Sequence, residues 1–161
     1  MEVRSIAIID YHLHLRADTQ AIKALFWGLD RLDGFNGIPA GELSIALLDA
    51  ERMSQVHCDF LNDLAQTDVI TFPGEPSMDF AGEICLGVDC IAAFAKTHAI
   101  PLAEELNRCL IHGWLHLAGY RDDAAPARLA MRQAEDDCLR RLSEQAVLPE
   151  YDWTRSCKIK G

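Results

Sequence analysis

The sequence predicts an α/β (α+β) fold in which a small four-stranded mixed sheet is covered by about five helices. Short apolar runs typical of strands alternate with helical patterns in the first half of the chain, whereas helical patterns dominate the second half. The chain has 161 residues, and 50% of them are hydrophobic, which suits one domain with a sizeable core. Because no linker or internal repeat interrupts the pattern, we expect residues 1–161 to form a single domain.

The predicted elements follow from local patterns. The strands are apolar runs bounded by turn residues, at residues 3–9, 42–48, 68–72 and 83–88. The third strand is expected to end before Pro73-Gly74, because proline has no N–H to donate to a neighbouring strand. The first helix starts after a cap at Asp18 or Thr19. The helices are predicted at residues 19–32, 51–64, 89–98, from Pro101 to the glycine at position 119, and 126–144.

Two histidines near the end of the fourth predicted helix have the spacing of metal ligands. His112 and His116 are four residues apart, so their rings leave the same face of the helix with Cβ atoms about 6 Å apart. Such pairs often occur by chance, but here Gly119 ends the helix and Asp122 follows the turn as a third ligand. Two imidazoles and one carboxylate leave a coordination position open, which is typical of a catalytic zinc site. The sequence therefore predicts one zinc ion per chain, held by these three side chains.

Composition limits the possible partners and compartments. The formal net charge of −10 argues against a general nucleic-acid binder, which usually presents a basic surface. No apolar run approaches the roughly 20 residues that span a bilayer, and the start of the chain has no signal-peptide cleavage site. We therefore expect a cytoplasmic protein that does not enter a membrane. In that reducing compartment, the six scattered cysteines are interpreted as small apolar core residues.

The C-terminal tail, from about residue 150, is basic in contrast to the rest of the chain. It contains Arg155, Lys158 and Lys160. Asp152 is its one acidic residue after Glu150. Such a tail is either a solvated chain end or a phosphate contact.

Four sequence blocks resemble those of one protein family. The segment His112-Gly113-x-Leu115-His116-Leu117-x-Gly119-Tyr120 is similar to the signature of the YbeY family of bacterial rRNA-maturation endoribonucleases. The segment from Thr67 to Pro73 resembles the family's T-D-V-L-S-F-P block. Gly82-Glu83-Ile84 resembles its G-D-I strand, and Met131 matches a methionine beyond its third ligand. The blocks occur in the family's order.

The resemblance implies a compact α/β metalloprotein that binds zinc and cuts single-stranded regions of ribosomal RNA precursors. Processing of the 3′ end of small-subunit rRNA is the expected step. The implied partners are the small ribosomal subunit, a ribosomal protein or an assembly GTPase, any of which would recruit an acidic protein to RNA. The sequence does not indicate an oligomeric state.

The expected reaction is metal-assisted cleavage of a phosphodiester bond, with either water or the RNA's own 2′-hydroxyl as the nucleophile. No side chain near the motif is an evident general base. Asp123 and Asp68 are weak alternatives, because helix capping and a strand-end hydrogen bond explain them more simply.

Two positions depart from the family pattern. Asp122 stands where the family's commonest third ligand is histidine, although some branches carry an aspartate there. A carboxylate coordinates zinc well, but its negative charge should make the ion a weaker Lewis acid. Leu61 stands where the family has an arginine, six residues before Thr67. Arg108, Arg121 or the basic tail would have to supply the missing positive charge.

Two other functions fit the same residues. The ligand spacing is also that of H-E-x-x-H-x-x-G-x-x-H/D zinc peptidases, but Gly113 occupies the place of their glutamate base. A glycine cannot accept a proton, so the peptidase ranks below the nuclease. The third possibility is a non-enzymatic ribosome-assembly factor that uses zinc only for stability, and the absence of the family's arginine keeps this alternative open.

Overall fold

The computed structural model describes residues 3–61 and 67–155, with residues 60 and 61 described by their backbone alone. These residues form five α-helices, a four-stranded sheet and a two-stranded sheet. The elements are β1 (Ile6–Asp10), β2 (Leu15–Ala17), α1 (Thr19–Asp30), β3 (Glu42–Leu48), α2 (Ala50–Leu61), β4 (Val69–Glu75), β5 (Phe80–Gly87), α3 (Val88–Thr97), α4 (Leu102–Leu117), α5 (Ala125–Glu144) and β6 (Tyr151–Trp153). The predicted fold class is confirmed, but the sequence pattern did not indicate the two-stranded sheet.

The four-stranded sheet has the order β1-β3-β5-β4. Strands β1, β3 and β5 are parallel, and β4 runs antiparallel to β5 at the edge of the sheet. The prediction that the third strand ends before Pro73 is wrong, because β4 continues to Glu75 and Pro73 pairs with Gly82. An edge strand tolerates proline, since one of its sides has no neighbouring strand that needs an N–H.

The sheet separates two hydrophobic cores. Successive side chains of a strand point to opposite faces. On β3, Ile45 and Leu47 belong to the larger core, together with buried side chains of α1, α3, α4 and α5. Ala46 and Leu48 belong to the smaller core on the other face, which Met53 of α2 helps to fill. Helix α4 therefore packs on the more heavily covered face of the sheet.

Helix α4 approaches β5 closely at two glycines. A Cβ atom on Gly113 would lie 2.7 Å from Cγ2 of Ile84. A Cβ atom on Gly82 would lie 2.8 Å from Cδ2 of Leu117. Both distances are too short for side-chain packing, so a larger residue at either position requires movement. This close approach fixes the C-terminal turns of α4, which carry both histidines, relative to the sheet.

The two-stranded sheet ties the end of the described chain to its beginning. Leu15 of β2 pairs with Trp153 of β6, and the N–H of Thr154 donates to the carbonyl of His14 at 2.7 Å. The start of the predicted basic tail is therefore a strand with backbone partners and not a frayed end. Lys158 and Lys160 lie outside the described residues.

The described residues also bear on the membrane and on the cysteines. Within these ranges, no helix is both long and apolar enough to cross a membrane. The five cysteines they include are free thiols, and three are buried: Cys85, Cys109 and Cys138. Burial raises the pKa of these three thiols. These three remain neutral and pack as small apolar residues, as the sequence predicts, whereas Cys58 and Cys90 are half-buried and are not core residues. Cys157 lies outside the described residues.

Candidate metal centre

The end of α4 is a glycine cap, as the sequence predicts. Gly119 has a φ of 100°, in the left-handed region. Its N–H donates to the carbonyl of His116 at 3.0 Å, and the N–H of Tyr120 donates to the carbonyl of Leu115 at 2.9 Å. These two bonds form a Schellman motif. The motif reverses the chain and brings Asp122 back to the face of α4 that carries the histidines.

The structure brings the three predicted ligands together. The Nε2 atoms of His112 and His116 lie 3.0 Å apart. Oδ2 of Asp122 lies 3.3 Å from Nε2 of His112 and 3.2 Å from Nε2 of His116. In the described part of the chain, this is the one group of three or more histidine, cysteine or acidic residues whose ligand atoms could share an ion. All three side chains are half-buried, so solvent reaches the site.

The second nitrogen of each ring has a partner that only accepts hydrogen bonds. Nδ1 of His112 lies 2.9 Å from Oε2 of Glu135. Nδ1 of His116 lies 3.1 Å from the carbonyl oxygen of Tyr120. Because neither acceptor has a proton to give, each Nδ1 carries the hydrogen and donates it. When both rings are neutral, their Nε2 atoms therefore present lone pairs toward the Asp122 carboxylate, which offers lone pairs of its own.

These residues fit a zinc ion. Three lone pairs that meet at 3.0–3.3 Å repel one another, and a cation between them converts the repulsion into coordination. In a tetrahedral site with bonds of about 2.0–2.1 Å, the ligand atoms lie about 3.3–3.4 Å apart, close to the observed separations. A donor set of two imidazoles and one carboxylate suits zinc and its neighbours, whereas Mg²⁺ and Ca²⁺ prefer oxygen ligands.

Nearby negative charges act on His112. Burial disfavours its charged form, but the hydrogen bond and charge of Glu135, together with the charges of Asp122 and Asp68, outweigh burial. Their sum raises the pKa of His112 above its ordinary value. The same negative potential favours any cation at the three ligands, so a proton and a metal ion compete for this site.

Glu135 is the site residue that the sequence analysis missed. It comes from α5, and only 5% of it is exposed. Its Oε1 accepts a hydrogen bond from Nη1 of Arg108 at 3.2 Å, while Oε2 accepts from His112. One signal was available, because Glu135 lies within the buried stripe of α5 and a buried acid requires a polar partner. The other members of that stripe are Met131, Ala134, Cys138 and Leu142.

The side chains expected to replace the family's arginine differ in whether they are exposed enough to contact a phosphate. Arg108 is 9% exposed and pairs with Glu135 and Asp136, so it is committed to the protein interior. Arg121, which directly precedes Asp122, is exposed and pairs with Asp123. Leu61 is the last residue of α2, and its side chain lies outside the described part of the structure.

The two weak general-base alternatives occupy different surroundings. Asp123 is exposed, and its hydrogen bond with Arg121 lowers the pKa of Asp123, which makes it a poorer proton acceptor. Oδ1 of Asp68 accepts the N–H of Val69 at 2.8 Å, which is the strand-end bond expected for it. The charge of Asp68 nevertheless contributes to the raised pKa of His112, so Asp68 lies within electrostatic reach of the ligands.

The glutamate base of a zinc peptidase has no room in this site. Its position in the motif is Gly113, which faces β5, where a Cβ atom would already lie 2.7 Å from Ile84. A side chain there would point into the sheet and not toward the metal ligands. The packing of α4 therefore argues against the peptidase independently of the missing carboxylate.

The fold and the site together define a small α/β protein with a candidate His₂Asp metal centre. A family model described as "Endoribonuclease YbeY" matches residues 15–143. The chain belongs to this family, as its sequence blocks predict.

Curated relatives agree with this membership, and a solved structure shares the fold. The chain is 32% identical to "Endoribonuclease YbeY" of Flavobacterium psychrophilum over 62% of this chain and 71% of the relative. It is also 32% identical to the protein of the same name from Chlorobaculum parvum, over 68% of this chain and 77% of the relative. A Thermotoga maritima protein solved in solution has the same fold, with a TM-score of 0.57, 20% identity and coverage of 88% of this chain and 94% of that one.

Proposed function

We propose that this protein is a zinc-dependent endoribonuclease that cuts single-stranded RNA during ribosomal RNA maturation. The 3′ end of small-subunit rRNA is the proposed cleavage region, and the cytoplasm is the proposed compartment. Family membership supports the nuclease activity. The single observation that carries the metal dependence is the convergence of three lone-pair donors from His112, His116 and Asp122 within 3.0–3.3 Å.

The roles of the chain's own residues follow from charge. When bound, zinc would supply Lewis acidity, which acidifies water and stabilises negative charge on phosphoryl oxygens. His112, His116 and Asp122 would hold the ion. The surroundings are otherwise acidic, because Glu135 and Asp68 also lie within electrostatic reach of His112. Such a site repels an RNA phosphate unless positively charged side chains lie close to it.

Exposed arginines close to the candidate ligands supply this positive charge. Arg121 directly precedes the third ligand. Arg132 on α5 is exposed, and its Nη1 lies 3.7 Å from Oε1 of Glu135. The positive charge of Arg128, one turn earlier on α5, acts on Asp123. We assign these three side chains to phosphate contacts near the ligands, in place of the family's arginine.

A protein partner would concentrate this acidic protein on its substrate. The net charge of −10 opposes tight binding to naked RNA, since phosphate contacts supply most non-specific affinity. The small ribosomal subunit, through a ribosomal protein or an assembly GTPase, is the proposed partner. Activity on free RNA should accordingly be slow.

The test combines metal analysis with cleavage assays. The purified protein should contain one zinc per chain and cut single-stranded RNA slowly, while leaving duplex RNA and casein intact. His112→Ala should lose both zinc and RNA cleavage. His98→Ala is the matched control, because His98 is exposed at the C-terminal end of α3 and bonds only to that helix in the described structure.

The second test of the proposed function is made in host cells. Host cells that carry His112→Ala should accumulate small-subunit rRNA with immature 3′ ends, whereas His98→Ala cells should not. Fully matured ends in both strains would refute the nuclease role and favour a non-enzymatic assembly factor. Proteolysis of casein that depends on zinc would favour the peptidase instead.

A further inference from the structure

We propose that Glu135 is a positioning residue of the metal centre, which holds His112 in the one tautomer that can coordinate a metal ion. The inference rests on the metal-binding part of the proposed function and is independent of the RNA substrate. It starts from the 2.9 Å hydrogen bond between Nδ1 of His112 and Oε2 of Glu135, which joins residues 23 positions apart on α4 and α5.

Both oxygens of the Glu135 carboxylate have committed partners. Oε2 accepts from His112, and Oε1 accepts from Nη1 of Arg108 at 3.2 Å. Arg108 is itself held by Oδ1 of Asp136 at 2.9 Å. Glu135 is 5% exposed and Arg108 is 9% exposed, so water does not readily replace either bond. The carboxylate therefore cannot turn away from the histidine ring.

This arrangement decides where the imidazole proton lies. A carboxylate paired with an arginine has no hydrogen to donate, so a neutral His112 ring must donate from Nδ1 and keep a lone pair on Nε2. The opposite tautomer would place a hydrogen on Nε2, which lies 3.0 Å from Nε2 of His116 and 3.3 Å from Oδ2 of Asp122. That hydrogen would occupy the point at which the three ligand atoms meet. Outer partners of this kind orient metal-binding histidines in many proteins.

Arg108 makes the effect of a conservative substitution predictable. Glu135→Gln keeps the size of the side chain but offers one oxygen and one NH₂ group. Arg108 can only donate, so it should take the amide oxygen, which leaves the NH₂ group facing Nδ1 of His112. His112 must then accept at Nδ1, and its proton moves to Nε2. The isosteric variant should therefore select the tautomer that cannot bind metal.

Zinc affinity is the first measurement, made by competition with a chromophoric chelator. We expect Glu135→Gln to lower the affinity about 10- to 100-fold. The double variant Arg108→Met/Glu135→Gln should recover most of it, because the amide is then free to turn its oxygen toward His112. Asp136→Asn is the matched control, since it removes the negative charge of the other partner of Arg108 without touching His112, and its zinc affinity should equal that of the parent.

The tautomer is the second measurement, which a merely structural role would not change. Nitrogen NMR of the neutral His112 ring, recorded before zinc is added and at a pH above the pKa of His112, should show the hydrogen on Nδ1 in the parent and on Nε2 in Glu135→Gln. Parent-like zinc affinity in Glu135→Gln, or a loss that the double variant does not restore, would overturn the inference. A parent protein with Nδ1 protonated that binds no zinc would instead refute the metal part of the proposed function.

Discussion

Replacing Gly113 with alanine tests whether the close packing of α4 on β5 positions the metal ligands. The added Cβ would lie 2.7 Å from Cγ2, 3.1 Å from Cδ1 and 3.2 Å from Cγ1 of Ile84. Ile84 is fully buried, and its β-branched side chain has little rotational freedom. The contact is relieved only if α4 moves away from the sheet, which also moves His112 relative to Glu135 on α5.

Two opposing contributions set the change in the free energy of unfolding that Gly113→Ala causes. Alanine in a helix interior stabilises a protein by about 1 kcal/mol relative to glycine. Overpacking of a well-filled core costs about 1–3 kcal/mol. Because three atoms of one rigid side chain are too close, we place the cost in the upper half of that range. The free energy of unfolding should therefore fall by about 1–2 kcal/mol, which lowers Tm by roughly 2–8 °C in a chain of this length.

Thermal unfolding measures the loss of stability, and zinc competition measures the displacement of the ligands. Gly113→Ala should unfold at a lower temperature and bind zinc more weakly than the parent. In an Ile84→Ala background, which removes the γ and δ atoms, the same substitution should stabilise by about 1 kcal/mol, because only the helix-propensity gain remains. A higher Tm for Gly113→Ala in the parent background, or an equal effect in both backgrounds, would refute the packing argument.

Three further predictions concern single side chains. Asp122→Ala should weaken zinc binding, whereas Asp122→His should keep the metal and raise its affinity or Lewis acidity, as competition titrations can measure; parent-like binding by the alanine variant would exclude Asp122 as a ligand. Burial raises the pKa of Glu105 despite the opposing charges of Arg108 and Arg132. A raised carboxyl pKa contributes stability at low pH that is lost as the pH rises, so Glu105→Gln should raise Tm at neutral pH, and this gain should vanish below pH 4.5, the ordinary pKa. Leu61→Arg should increase RNA cleavage by restoring the family's arginine. Unchanged cleavage rates with unchanged zinc content would show that other positively charged side chains already take the place of that arginine.

Control measurements keep these outcomes separate. Zinc content and Tm of each variant should be recorded beside its activity, so that loss of fold is not mistaken for loss of a ligand. For Glu105→Gln, a Tm gain that is the same at both pH values would mean that the effect does not arise from ionisation.

The sequence by itself determined the local part of the candidate site. The four-residue spacing of His112 and His116 follows from helix geometry, and Gly119 takes the left-handed conformation that ends the helix. Asp122 follows this turn closely enough to return to the same face. Strands β3 and β5 and all five helices were also predictable, because their apolar periodicities are properties of short windows.

Only the tertiary structure decided which distant groups complete the site. Glu135 meets His112 from another helix, and Arg108 turns inward to that carboxylate and away from solvent. The pairing of Leu15 with Trp153 and the edge position that admits Pro73 into β4 are likewise invisible in a local window. The reason is physical: such contacts depend on how helices and strands pack, and packing is decided by the whole chain, whereas turns and helix faces are decided by a few neighbouring residues.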